Sequence, residues 1–268
     1  MQNPTLEAVL SRFLRKLLYF KEWLKGGGDL RERILLELLA THYSSRFKRQ
    51  WELGEVSPHF EDHRIFIFNF AFTERFLGPF FLYRGFISSE VLRKGNTLLD
   101  IGCGDGFFTC RFFSTRCSHI DAIDIDMDAI KMCNKINNAP NISYYQLDAL
   151  KEPFPQKKYD VIVLDGSLGH FSESDAEHLL EKISAAMNES SIFVGSESIG
   201  KDADDHLQVF ESSSDFYKLF SPLFKYVECR QFKYRVGIKG SHLRNEAYWR
   251  CSNNKITLET NHWEKLIS

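Results

Sequence analysis

The residues best equipped for chemistry are Asp100, Gly102, Gly104 and Gly106, in the stretch Leu98-Leu99-Asp100-Ile101-Gly102-Cys103-Gly104-Asp105-Gly106-Phe107. A short apolar run ends in an acid, a turn with three glycines follows, and helix-forming residues come next. Glycine lets a backbone approach a ligand closely and supplies the positive φ of a tight turn. In open α/β sheets, ligands sit at the carboxyl ends of the strands that deliver such turns. Two more acids occupy comparable places. Asp124, in Ala122-Ile123-Asp124-Ile125-Asp126, closes a second apolar run, and Asp148, in Leu147-Asp148-Ala149, follows a third. An ionised carboxylate only accepts hydrogen bonds, so Asp124 suits the paired hydroxyls of a ribose.

The glycine spacing separates two ligand classes. A dinucleotide fingerprint reads G-x-G-x-x-G, its last glycine letting the helix pack close to the strand. Here that last position is Phe107, and the spacing is G-x-G-x-G with Asp100 two residues before it. An acid there is a poor neighbour for a pyrophosphate and a good one for a cation. The lack of a Tyr-x-x-x-Lys pair also speaks against a nicotinamide oxidoreductase.

The segment resembles motif I of the class I S-adenosylmethionine-dependent methyltransferases, and the acids at 124 and 148 follow in that family's order. The resemblance extends over residues 96–200 and fits the end of the chain; it does not cover residues 1–95. It implies S-adenosyl-L-methionine as cofactor. Gly102, Gly104 and Gly106 would admit the methionine and ribose parts, and Asp100 would orient the methionine amino group. Asp124 would bind the ribose hydroxyls, Ile125 would pack on the adenine, and Asp148 with Ala149 would meet its edge. Asp165 lies where the family brings backbone carbonyls to the methionine end. Asp126 reads more simply as a helix N-cap.

Methyl transfer from a sulfonium depends mainly on positioning, but an oxygen nucleophile also has to lose a proton, and a neutral His suits that task. His170 stands where many family members face the methyl group; His63 is the other candidate base. His59, Arg64, Tyr83 and Arg84 are the candidate acceptor-binding residues, basic groups among aromatics that suit an acidic acceptor. No metal site is expected: Asp165 and Glu197 stand at roughly the right places, but an Asp-Asn pair is missing. No Asn-Pro-Pro-Tyr-like motif follows strand four either, which argues against a nucleobase or amide nitrogen as acceptor. The expected function is therefore methyl transfer to a small-molecule acceptor, at oxygen. The alternatives are a membrane-tethered glycan or lipid acceptor, and a cofactor-binding module without catalysis.

Several elements must position these groups. Apolar runs predict strands at Thr97–Ile101, His119–Ile123, Ile142–Gln146, Tyr159–Leu164 and Ser191–Gly195, with helices at Phe107–Phe113, Ala129–Ile136 and Asp175–Met187 between them. Alternation of this kind implies a parallel sheet with helices on both faces. After a short helix near Asp215–Leu219, Tyr226–Ile238 and Glu246–Ser252 read as an antiparallel hairpin. The fold class is α/β, a Rossmann-like, mostly parallel sheet with a terminal antiparallel hairpin and an N-terminal helical cap. Residues 1–95 would form the cap and lid, and residues 96–268 the cofactor-binding core.

The cap region is predicted to hold an amphipathic basic helix over residues 5–25 and a second from Leu30 to about Arg49, with Ile34, Leu35, Leu38 and Leu39 inward. An aromatic run from Phe66 to Phe86 follows and suits a lid. Its Phe66–Phe72 part fits a strand or a helix equally. The first helix could meet a membrane surface or, with its neighbour, a second copy in a homodimer. Residues 1–95 carry 15 basic and 11 acidic side chains, whereas residues 96–200 carry 8 and 16, a net of −8. An acidic core repels a polyphosphate backbone, so no nucleic-acid partner is expected. Six cysteines without a C-x-x-C pair read as reduced thiols. With no signal peptide or spanning run, the expected location is cytoplasmic.

Overall fold

A computed structural model describes residues 80–200, 206–236, 242–256 and 264–265, together with Ile34 and Leu38. The helix expected over 5–25, most of the second helix, the aromatic segment up to residue 79 and the hairpin tip 237–241 lie outside these residues. So do His59, His63 and Arg64, and with them the cap, dimer and membrane expectations. Leu38, read as facing inward, is 59% exposed.

Eight strands form one sheet in the order β3-β2-β1-β4-β5-β7-β6-β8. They are β1 (Thr97–Ile101), β2 (His119–Asp124), β3 (Ile142–Gln146), β4 (Tyr159–Asp165), β5 (Met187–Ser198), β6 (Tyr226–Val236), β7 (His242–Ser252) and β8 (Glu264–Lys265). The first five run parallel. β7 lies antiparallel to β5 and to β6, so the expected hairpin closes one side of the sheet. Four α-helices are described: α1 (Phe80–Ser89), α2 (Met127–Ile136), α3 (Glu173–Ala185) and α4 (Ser213–Phe220).

The central strands are buried on both faces, which is why β1 and β4 read as nearly continuous apolar runs. Leu99, Ile101, Ile162, Leu164 and Phe193 pack with α3 and α4 on one face. Leu98, Ile120, Ala122, Val161 and Val163 pack with Ile130 and Cys133 of α2 and with Phe113 on the other. α3 presents one stripe, Ala176, Leu179, Leu180 and Ile183, all fully buried. Each such Leu or Ile is worth roughly 1.5–3 kcal/mol over the exposed state. The helix is started by Ser172, whose side chain accepts from the Asp175 N–H, and α2 by Asp126, which accepts from the Asp128 N–H.

Several boundaries shift from expectation, and three differences bear on the architecture. α3 stops at Ala185, and Met187 already belongs to β5. β5 runs past Gly195 to Ser198 because its far end pairs with β7 up to Ser198–Glu246. The turn after the glycine loop is helical but takes π register over Thr109–Phe113, with Ser114 N–H reaching the Thr109 carbonyl at 3.0 Å.

Candidate active site

β1 lies between β2 and β4, so the chain leaves its carboxyl end in one direction and returns on the other side, making the switch point at which open sheets bind ligands. The glycine loop fills that point. Gly102 and Cys103 N–H groups both donate to the Ile123 carbonyl, at 2.8 and 3.0 Å, curling the loop over the end of β2. Gly102 has φ +70°, and a Cβ there would stand 2.5 Å from the Ser167 hydroxyl oxygen of the post-β4 turn. Glycine is thus needed for both the turn and the contact. The loop also touches β2 by a side chain: Asp124 accepts from Gly104 N–H at 2.8 Å and from Asp126 N–H at 2.9 Å.

Side chains alternate along β1, which places Asp100 on the α2 face. There Thr109, brought round by the π turn, donates its hydroxyl to Asp100 at 2.5 Å. Burial pushes the Asp100 carboxyl up to about 7, the Thr109 hydrogen bond holds it down in part, and the charges of Asp165 and Asp124 push it further up. Asp165, at the end of β4, accepts from the Ser88 hydroxyl of α1 at 2.9 Å. Its other oxygen is buried and takes no hydrogen bond among the described residues. Burial raises this carboxyl to about 6 against the lowering influence of the Arg84 charge and Ser88. Asp124 is also raised, again by burial first.

Asp148 sits in a half-buried turn, where it accepts from Leu150 N–H at 3.0 Å and pairs with Lys151 at 2.8 Å. The Lys151 hydrogen bond holds its carboxyl below the ordinary range. Lys182 of α3 ties down the adjacent backbone by donating to the carbonyls of Ala149, Leu150 and Glu152. Ile125, between Asp124 and Asp126, is 52% exposed beside the loop.

On the other side of the switch point, α1 lies over the β6–β7 hairpin. Tyr83 meets Phe232 and Tyr234 edge-on at 5.6 and 5.7 Å. Arg84 reaches the buried Glu246 through Nε at 2.8 Å and Nη2 at 2.7 Å, and Arg244 donates to the same carboxylate at 2.6 Å. The Arg84 guanidinium also lies against Gly166, where a side chain would displace it. Arg84 therefore joins α1, β7 and the post-β4 turn. That turn continues as a single 3-10 turn, Leu168–His170, ending at a half-buried His170. Gly169 N–H donates to Glu197, at the end of β5, at 2.8 Å.

Residues 98–190, from β1 to the start of β5, match the family model described as a methyltransferase domain. Over that stretch the chain resembles the class I S-adenosylmethionine-dependent methyltransferases. The chain is 33% identical over 90 residues to the ribosomal RNA small subunit methyltransferase A of Coxiella burnetii (strain RSA 331 / Henzerling II), covering 33% of this chain and 34% of that one. It is 30% identical over 73 residues to a fatty-acid O-methyltransferase of Mycolicibacterium smegmatis, covering 26% of each. The chain thus spans about a third or less of these curated relatives. Among solved structures, the N-methyltransferase NodS from Bradyrhizobium japonicum WM9 shares the fold, with a TM-score of 0.52 and 17% identity over 65% of this chain and 98% of that one.

S-adenosylmethionine is the cofactor that goes with this family, and the residues present fit it. A buried carboxylate oxygen that takes no hydrogen bond among the described residues, on Asp165 close to Asp100, suits a cationic amino group. Of the residues singled out from the sequence, the methyltransferase fold brings together Asp100, Gly102, Gly104, Gly106, Asp124 and Ile125 around one loop. Asp165 ends β4 with Arg84 near it, and His170 follows on the next turn. Thr109, Ser88, Glu197 and Glu246 were not assigned to the site by sequence reasoning. A hydroxyl three residues past the last glycine was the one local signal, for Thr109; the others depend on contacts distant in sequence.

Proposed function

We propose that this protein transfers a methyl group from S-adenosylmethionine to the oxygen of a small-molecule acceptor. The cofactor supplies an electrophilic methyl group on a positively charged sulfur. The chain's tasks are to orient it, exclude water and accept the acceptor's proton. In this reading Asp124 takes the ribose hydroxyls and Ile125 lies on the adenine, with Asp148 and Ala149 at its edge. Gly102, Gly104 and Gly106 admit the chain of the methionine, while Asp100 and the Asp165 backbone hold its amino end. His170 accepts the proton, Tyr83 and Arg84 border the acceptor, and His59, His63 and Arg64 belong to the upstream segment of that wall.

The observation that carries this reading is the presentation of His170. Its imidazole is half-buried just past β4, on a turn whose backbone is held by the buried Glu197. An imidazole in that place suits an oxygen nucleophile, which must lose a proton as it attacks. The likeness to a fatty-acid O-methyltransferase supports the oxygen acceptor. The likeness to a ribosomal RNA enzyme is confined to 90 residues, and a net charge of −8 over residues 96–200 disfavours a polyphosphate partner.

The test is transfer of a labelled methyl group by the full chain to a phenol, a hydroxy acid, a fatty acid, a sugar and a ribosomal RNA fragment, with the products located by mass spectrometry. An O-methyl product is expected, together with a turnover loss of roughly 100-fold or more in His170→Ala at unchanged cofactor affinity. Transfer to RNA alone would reject the proposal.

A further inference from the structure

Two imidazoles meet beyond the carboxyl end of β4. The His170 and His206 ring centroids are 4.8 Å apart, with their planes at 87°, an edge-to-face contact. His206 follows β5 and carries no motif that marks it in the sequence. The backbone around it is tied to the His170 turn. Leu207 and Gln208 N–H groups both donate to the Gly169 carbonyl, at 2.8 and 3.1 Å. The Gln208 side-chain amide donates to the Phe171 carbonyl at 2.8 Å. Gly169 is thus pinned through its N–H by β5 and through its carbonyl by residues 207–208. It must also be small, because a Cβ there would stand 2.8 Å from His206 Nδ1.

A proton acceptor has to hold its ring in one orientation to reach the proton. A ring packed edge-to-face against it favours one orientation several-fold. We infer that His206 is the positioning residue of His170: its ring, held over Gly169 by the 206–208 segment, keeps the His170 imidazole aimed at the acceptor. This rests on the reading of His170 as the group that accepts the acceptor's proton. His206 itself need not touch the acceptor.

Ring resonances of the full chain, labelled at its histidines and saturated with S-adenosylhomocysteine, test the inference without turnover. His170→Asn identifies the His170 signal among the nine histidines. His206→Ala should shift and broaden that signal, and Gly169→Ala should do the same by displacing the His206 ring. His206→Phe, which keeps a ring edge, should restore a single sharp signal. In turnover with the best acceptor of the panel above, His206→Ala should lower kcat by about 10–100-fold and alter either KM less than about twofold. His206→Phe should recover most of that loss, and His170→Ala/His206→Ala should be no slower than His170→Ala. A His170 signal indifferent to His206→Ala, or losses that multiply in the double variant, overturns the inference. Normal turnover by His170→Ala instead overturns the reading of His170, whatever the ring signals show.

Discussion

On the β1–β3 side of the switch point, the carboxylates are held by groups close at hand in the chain, many of them backbone N–H. Asp124 takes the N–H of Asp126, two residues on, and of Gly104, 20 residues before it; Asp148 takes the N–H of Leu150. On the β4–β7 side the corresponding groups are held by side chains far apart in the chain. Arg84 reaches Glu246 across 162 residues, and Ser88 reaches Asp165 across 77. The first side is a set of turns that form wherever the strands end. The second exists only once α1 and the hairpin have docked, so its site geometry and its stability are one property. A substitution on the cofactor side should therefore change binding with little effect on folding, and one on the acceptor side should act on folding first.

The largest effect expected under this contrast is that of Glu246→Gln. Glu246 is fully buried, and burial alone would push its carboxyl up; the Arg84 and Arg244 guanidiniums outweigh that and hold it low. Removing one member of a buried ion pair typically costs about 3–5 kcal/mol. The two arginines keep some contact with water, so the expected loss is about 3 kcal/mol, a fall in Tm of roughly 6–12 °C. Affinity for S-adenosylhomocysteine, measured by calorimetry well below the new Tm, should change less than about threefold. A collapse of that affinity at unchanged Tm would dissolve the contrast.

Asp124→Ala is the converse. Burial already raises this carboxyl, so its removal relieves a desolvation cost while losing two backbone hydrogen bonds. The two roughly cancel in the free chain, and Tm should move by only a few degrees. Hydrogen bonds from ligand hydroxyls to a charged acceptor are worth about 1.5–3 kcal/mol, so affinity for S-adenosylhomocysteine should fall about 30-fold. A variant that melts early and binds normally would place Asp124 in the fold rather than in the site.

The same contrast explains what could be read from the sequence. Asp100, the three glycines and Asp124 are set by strand ends and turns, whose periodicity and residue types are local; the five parallel strands and the hairpin followed from the same signals. The π register at Thr109–Phe113 was not legible, because a helix differing by one residue per turn leaves no mark in a seven-residue apolar pattern. The Arg84–Glu246 pair and the His170–His206 contact depend on which strands become neighbours. Arg84 could be picked out only as a basic group among aromatics, with no partner visible. β8, two residues long, carries too little pattern to find.

The smallest effect concerns pH, and its sign differs for folding and binding. Burial raises Asp100 to about 7 and Asp165 to about 6, from an ordinary value of 3.8. Between about pH 4 and pH 7 the unfolded chain has lost these protons and the folded chain still holds them. Stability of the free protein should therefore decline as pH rises through that window, and the decline should shrink in Asp100→Asn, which keeps an acceptor for Thr109. Binding of a ligand with a cationic amino end, in the proposed role of Asp100, requires the ionised carboxylate. Affinity for S-adenosylhomocysteine should then rise as pH passes the Asp100 value, by roughly tenfold from pH 6 to pH 8 for one group near 7. Thermal melts and calorimetry at pH 5.5, 6.5 and 8 would record both. If affinity and stability fell together with rising pH, the amino end would not be held by Asp100. A flat binding profile with Asp100→Asn still binding would leave Asp100 as a buried acid of the fold alone.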